Sequence, residues 1–189
     1  MKAQSLVRIT ATAALALSVL SGCSTYHAAV SYISSDSAAQ CPDATILANT
    51  AVLPAFDPAK GADPSSVVYT AAMSDVSTRC SYSKRDFEAD ARIVATVNAR
   101  RPPGGEAVRY RVPFYVAVTN DGQIVDKQVH WMDLEFARGE TNVIAHATVN
   151  SIVVKVEKKK RSYEYHFLVG FQLTQAQIEY NKKMGQFAP

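Results

Sequence analysis

Three stretches of this chain alternate apolar and polar residues with period two, and that pattern commits most of it to sheet. In the first, Phe87, Ala89, Ala91, Ile93, Ala95, Val97 and Ala99 interleave with Glu88, Asp90, Arg92 and Asn98. In the second, Val108, Tyr110, Val112, Phe114, Val116 and Val118 stand against Arg109, Arg111, Pro113 and Thr119. In the third, Tyr163, Tyr165, Phe167, Val169 and Phe171 stand against Glu164, His166 and Gln172. Successive side chains of a strand point to opposite faces, so each apolar set lies on one sheet face and each polar set meets water. Buried parallel strands instead read as unbroken apolar runs. The pattern is therefore antiparallel.

The separators agree. Residues 100–105 carry Arg-Arg-Pro-Pro-Gly-Gly, and Asn120-Asp121-Gly122-Gln123 holds the Asp-Gly signal of a tight hairpin. Residues 138–142 and 157–162 separate the later strands, and residues 54–64 form a Pro-rich connector. Weaker strands are expected over about 45–52, 66–73 and 74–82. Two strands change phase: Val129 and Trp131 precede Met132, Leu134 and Phe136, and Val149 precedes Ile152, Val154 and Val156. Each reads as a bulge, an edge crossing or a switch between sheets. Seven or eight strands with closely spaced turns predict an antiparallel β-sandwich, with a small β-barrel as the alternative. A short C-terminal helix closes the chain. Thr174 and Gln177 make a capping box, Leu173 can staple to Ile178, and Ala176, Tyr180 and Met184 line one face before Gly185.

The N-terminal residues read differently. Lys2 and Arg8 precede residues 9–20, which carry no charge. Twelve residues of helix span about 18 Å, too short for a hydrocarbon core of about 30 Å, so the stretch reads as a secretory signal. It ends in Leu20-Ser21-Gly22-Cys23, which resembles the lipobox of bacterial lipoproteins. That resemblance implies removal of residues 1–22, acylation of Cys23 and membrane attachment through the lipid. Residues 24–40, rich in Ser and Ala, then read as a flexible tether to a domain spanning 41–189. Ser24 follows the cysteine where lipoproteins retained in the inner membrane often carry Asp, which favours the periplasmic face of the outer membrane. Losing Lys2 and Arg8 takes the formal charge from +3 to +1, so net charge identifies no partner and argues against nucleic acid.

With Cys23 assigned to lipid, Cys41 and Cys80 remain as an even pair in an oxidising compartment. A bridge between them closes a loop of about 40 residues. A metal site is the rival reading, though the pair lacks CxxC spacing and neighbouring histidines, and a catalytic thiol is the other.

Cys41-Pro42, Arg79-Cys80-Ser81-Tyr82, Phe114-Tyr115-Val116-Ala117-Val118, residues 169–174 and Tyr180-Asn181 together resemble an exported lipoprotein family of alphaproteobacteria. The likeness covers most of the chain after Cys23. It implies the domain extent, the cysteine pair and the compartment, and it carries no catalytic residue.

Few residues suggest chemistry. His27 lies in the tether, and His130, His146 and His166 fall in strand patterns opposite the larger apolar sets, where Asp133 or Glu135 would have to complete any metal site. No HxH or HExxH spacing exists, and they read as isolated surface histidines. Ser81 and Lys84 match the letters SxxK, but they follow a strand rather than opening a helix. There is no phosphate-binding glycine loop. The one concentrated charge feature is Lys155, Lys158, Lys159, Lys160 and Arg161, a basic surface patch that lipid headgroups or an acidic partner would suit and that equally keeps a hairpin tip soluble. The expectation is a non-enzymatic envelope lipoprotein without a cofactor, serving as an accessory or scaffolding subunit beside an envelope protein partner. A lipid- or small-molecule-binding β-barrel lipoprotein is the alternative.

Overall fold

In the computed structural model, residues 41–83, 85 and 87–186 are described. They hold eight strands in two four-stranded sheets. One sheet has the order β1 (Asp43–Ile46), β8 (Tyr165–Phe171), β5 (Val108–Asn120) and β6 (Gln123–Phe136). The other has the order β2 (Val52–Phe56), β3 (Val67–Ser83), β4 (Glu88–Arg100) and β7 (Asn142–Lys155). Every neighbouring pair is antiparallel except β1 and β8. The fold is an all-β sandwich, and the sheets do not close into a barrel.

The core follows from the alternation. Strand β4 turns Ala89, Ala91, Ile93, Ala95, Val97 and Ala99 inward, every one of them buried. Facing this mostly small set are the bulky inner residues of β5 and β8, including Phe114, Val116, Phe167, Val169 and Phe171. Small residues on one sheet leave room for rings from the other at the usual spacing of about 10 Å between packed sheets. Two of the expected strand residues lie outside the strands. Phe87 is exposed in the β3–β4 turn at φ 54°, and Tyr163 is exposed in a 3-10 turn, Ser162–Glu164.

Several expectations are corrected. The stretches expected at 66–73 and 74–82 are one strand, β3, bent by a register shift between Met73 and Asp75. That bulge turns the inward set from Tyr69, Ala71 and Met73 to Val76, Cys80 and Tyr82. The stretch expected at 45–52 is two strands in different sheets, and Pro54 lies in β2 rather than in a connector. The phase change in β7 is a bulge, with Ser151 at φ 59° and a register shift against Ala91 and Ile93. That in β6 is not. Its pairing with β5 runs unbroken from Phe136 to Asp126, so Val129 and Trp131 lie on the outer face and His130 belongs to the inner set.

The β5–β6 hairpin turns through Asp121 at φ 49° and Gly122 at φ 74°, the positive pair that an Asp-Gly hairpin requires. Helix α1 (Gln175–Met184) has the expected capping box and ends at Gly185 in the left-handed region. Its docking face differs from the expected one. Ala176 and Met184 are exposed, and contact is made by Gln177 Nε2 donating to the Pro54 carbonyl (2.7 Å) and Asn181 Nδ2 to the Val52 carbonyl (2.7 Å). Tyr180 adds an edge-on contact with Phe56, centroids 5.0 Å apart. The helix thus covers the open edge of β2 through hydrogen bonds to its carbonyls, which an apolar period does not record.

Candidate functional site

Cys41 and Cys80 are bonded, with Cα atoms 5.8 Å apart. Cys41 directly precedes β1, an edge strand of one sheet, and Cys80 lies in β3 of the other, so the bond clamps the sandwich where the chain enters it. Of the three readings of this pair, the structure realises the disulfide.

The registers fix what surrounds that entry. Asp43 lies beside His166 at the start of β8, so residue 41 sits at the end of the sandwich where β8 begins. The β5–β6 turn is there as well, because Asn120 pairs with Tyr165. So are the β3–β4 turn and the β7–β8 loop: Glu88 pairs with Lys155, and the Val156 amide donates to the Phe87 carbonyl (2.7 Å). The opposite end carries the β4–β5 and β6–β7 loops, residues 101–107 and 137–141.

The expected basic patch therefore lies at the chain-entry end. Lys155 ends β7 opposite Glu88, and Lys158 and Lys159 stand exposed in the loop. Lys160 is committed elsewhere. Its Nζ donates to Asn120 Oδ1 (2.9 Å) and Asp121 Oδ2 (2.6 Å), and the Asp121 bond holds the ammonium above its ordinary pKa. Arg161 donates its backbone N–H to Glu164 Oε1 (3.1 Å). The patch is thus split, with Lys160 pinning the loop to the β5–β6 turn and the other cations facing outward.

Between these turns the two sheets part to leave a cleft of about 360 Å³, lined by Val118, Val125, Val153, Lys155 and Tyr165 among others. The Tyr165 hydroxyl accepts from the Glu157 amide (3.2 Å). A second hollow, about 210 Å³, lies on the outer face of the β1-containing sheet beside α1. Its floor holds Tyr115, buried, whose hydroxyl is 2.9 Å from Thr50 Oγ1 and whose ring lies 4.4 Å from Lys127 Nζ. Burial raises the Tyr115 pKa above its ordinary value, outweighing the Thr50 hydrogen bond. Leu173 and Ile178, the expected staple pair, both line this hollow.

The histidines are scattered. His146 Nδ1 is 3.2 Å from Thr96 Oγ1 on the outer face of the β4-containing sheet. His166 is exposed on the outer face of the other sheet. His130 points inward and stacks against Phe114 with centroids 5.6 Å apart. Its Nε2 is buried with no hydrogen-bond partner among the described residues, and burial lowers its pKa. Asp133 and Glu135 are tied to Arg109 on an outer face. No group of three or more His, Cys, Asp or Glu among the described residues is placed to hold a metal. Ser81 sits exposed on a strand opposite Asp90, and Lys84, Cys23 and His27 lie outside the described residues.

Sequence reasoning missed the apolar company of the cations. Five of the nine large exposed hydrophobic residues, Phe87, Ile124, Val125, Val153 and Tyr163, lie in or beside the turns at the chain-entry end. Phe87 and Tyr163 continue the apolar alternation in the sequence, and only the turn geometry removes them from the sheet faces. Comparison with protein-family models, curated proteins and solved structures finds no match to this chain.

Proposed function

We propose that the protein is a lipid-anchored lipoprotein of the bacterial cell envelope, held through Cys23 on the periplasmic face of the outer membrane, and that its sandwich serves as a non-enzymatic accessory or scaffolding subunit of an envelope assembly. The observation that carries the reading is Leu20-Ser21-Gly22-Cys23 after an uncharged run too short to span a bilayer. The Cys41–Cys80 bond supports it, because the partnering of those two leaves Cys23 as the remaining cysteine and suits an oxidising compartment. Two or three acyl chains on one residue give attachment that a single chain does not, at about 0.8 kcal/mol per buried methylene.

Two measurements test it. Mass spectrometry of the membrane-extracted chain is expected to find an N-terminal, acylated Cys23, and an unmodified thiol there removes the anchor. A mild-detergent pull-down is expected to recover a stoichiometric envelope partner, and a clean monomer removes the subunit role.

A further inference from the structure

We propose that the chain-entry end of the sandwich is a membrane-contacting surface, which seats on anionic lipid headgroups with its exposed aromatic and aliphatic residues reaching the interface. The proposal rests on the anchored reading for its setting, but on the fold for its geometry.

Three observations converge on that end. First, the chain enters there. Seventeen residues separate Cys23 from Cys41, and a coil of that length spans on the order of 20–25 Å. A lipid on Cys23 joined through such a coil would favour this end facing the bilayer over the opposite one, which lies roughly 40 Å away along thirteen-residue strands. Second, a cluster of cations without ion pairs is there. Arg85, Lys158 and Lys159 have no ion pair among the described residues. At the opposite end Arg138 is paired with Glu106, Lys60 with Asp57, and Arg101 donates to the carbonyls of Gly105, Glu106, Ala137 and Glu140, while Arg100 stands exposed without an ion pair among the described residues. Formal charge does not separate the two ends, because Asp43, Glu88, Asp121, Glu157 and Glu164 also lie at the chain-entry end. What marks the chain-entry end is the exposed Lys158–Lys159 pair beside Arg85, where Asp121 is taken by Lys160 and Glu164 by the Arg161 amide.

Third, the exposed apolar residues gather there. Phe87 and Tyr163 are 42% and 53% exposed, Val125 and Val153 line the cleft between the parted sheets, and Ile124 is exposed just after the β5–β6 turn. Apolar side chains flanked by basic ones suit the zone where acyl chains meet phosphates. A tether raises the effective concentration of the surface to the order of millimolar, so a patch too weak to hold the free domain still orients the anchored one. The headgroup field decays over about 8 Å in physiological salt, so only the end nearest the bilayer feels it.

The test uses the full-length gene product, extracted from its own membrane and reconstituted into vesicles containing brominated lipid. Trp131, the single tryptophan, is replaced by Phe, and a reporter tryptophan is placed as Phe87→Trp or, at the opposite end, Thr141→Trp. Tyr163→Trp replaces Phe87→Trp if the latter fails to fold. With phosphatidylglycerol in the vesicles the expected result is strong quenching at position 87 or 163 and none at 141. With phosphatidylcholine alone, the quenching at 87 or 163 falls. Adding Lys158→Gln or Lys159→Gln is expected to lower the ratio of seated to unseated protein about fivefold each. Equal quenching at both ends overturns the proposal, as does quenching at 87 that ignores headgroup charge and both lysines. A free thiol at Cys23 would refute the anchored reading by itself. In that case a maleimide-lipid coupled to the thiol supplies the anchor, and the same quenching ratio still decides the orientation.

Discussion

Thr50 stands directly over Gly170: a Cβ added to the glycine would collide with Thr50 Oγ1 and come within 2.9 Å of the Tyr115 hydroxyl. The 3-10 turn Ala48–Thr50, which carries the chain from one sheet to the other, thus lies flat on β8 only because residue 170 has no side chain. Gly170→Ala is expected to destabilise the domain by about 1–3 kcal/mol through overpacking. Thr50→Ala in the same chain is expected to recover part of that loss, because one of the colliding atoms is gone. Urea midpoints of the two single variants and the double variant check the coupling, and strictly additive losses would refute it.

The disulfide joins the short edge strand β1 to the opposite sheet, with 39 residues of separation between its cysteines. A closed loop of that size is worth roughly 4 kcal/mol in the chain-entropy model. The paired variant Cys41→Ser/Cys80→Ser is expected to lose about 2–4 kcal/mol in denaturant titrations. Hydrogen exchange is expected to locate the earliest loss in β1 and just after it, at amides such as Leu47, which donates to the Val169 carbonyl (2.9 Å). Unchanged protection there would place the stabilisation elsewhere.

Much of the sandwich was legible because burial on one face writes period two into the sequence, as it does in β4, β5 and most of β8. The misreadings have physical causes. In β3 a single bulge reverses the inward set, so one strand reads as two. In β6 the outer face is apolar in places because Arg111 covers Trp131 at 5.2 Å, and two apolar faces imitate a change of phase. The parallel pairing of β1 with β8 leaves no mark in four residues, DATI. Of the functional surface, the lysines of residues 155–160 were visible as a run. Their convergence with Arg85, Phe87 and the chain entry was not, because only strand register brings three separate turns and the chain entry to one end.

His130 gives the fold a pH dependence of definite sign. Its ring faces the core beside Phe114, and burial holds its pKa below the ordinary 6.5. Between the folded value and 6.5 the unfolded chain binds more protons, so stability rises with pH through that window and is lost as pH falls below about 6.5. The Nε2 atom, without a partner among the described residues, favours the neutral ring for the same reason. His130→Gln is expected to flatten the stability curve below about pH 6.5, read from urea midpoints at each pH. An unaltered slope would assign the dependence to other groups.

Asn181 holds the C-terminal helix to the sheet edge. Its side chain is 1% exposed, and its amide donates to the Val52 carbonyl, leaving Oδ1 without a partner among the described residues. Truncation by Asn181→Ala removes the donor and leaves a buried carbonyl unpaired, which is expected to cost about 1–3 kcal/mol. Asn181→Asp is expected to cost more, because it sets a carboxylate against that carbonyl in place of a donor. Both variants should free the edge of β2. Amide exchange in Val52–Phe56 is expected to accelerate while that of β4 and β5 holds, since those central strands keep both neighbours. Uniform acceleration across both sheets would mean that the helix is part of the global folding unit rather than a cover over one edge.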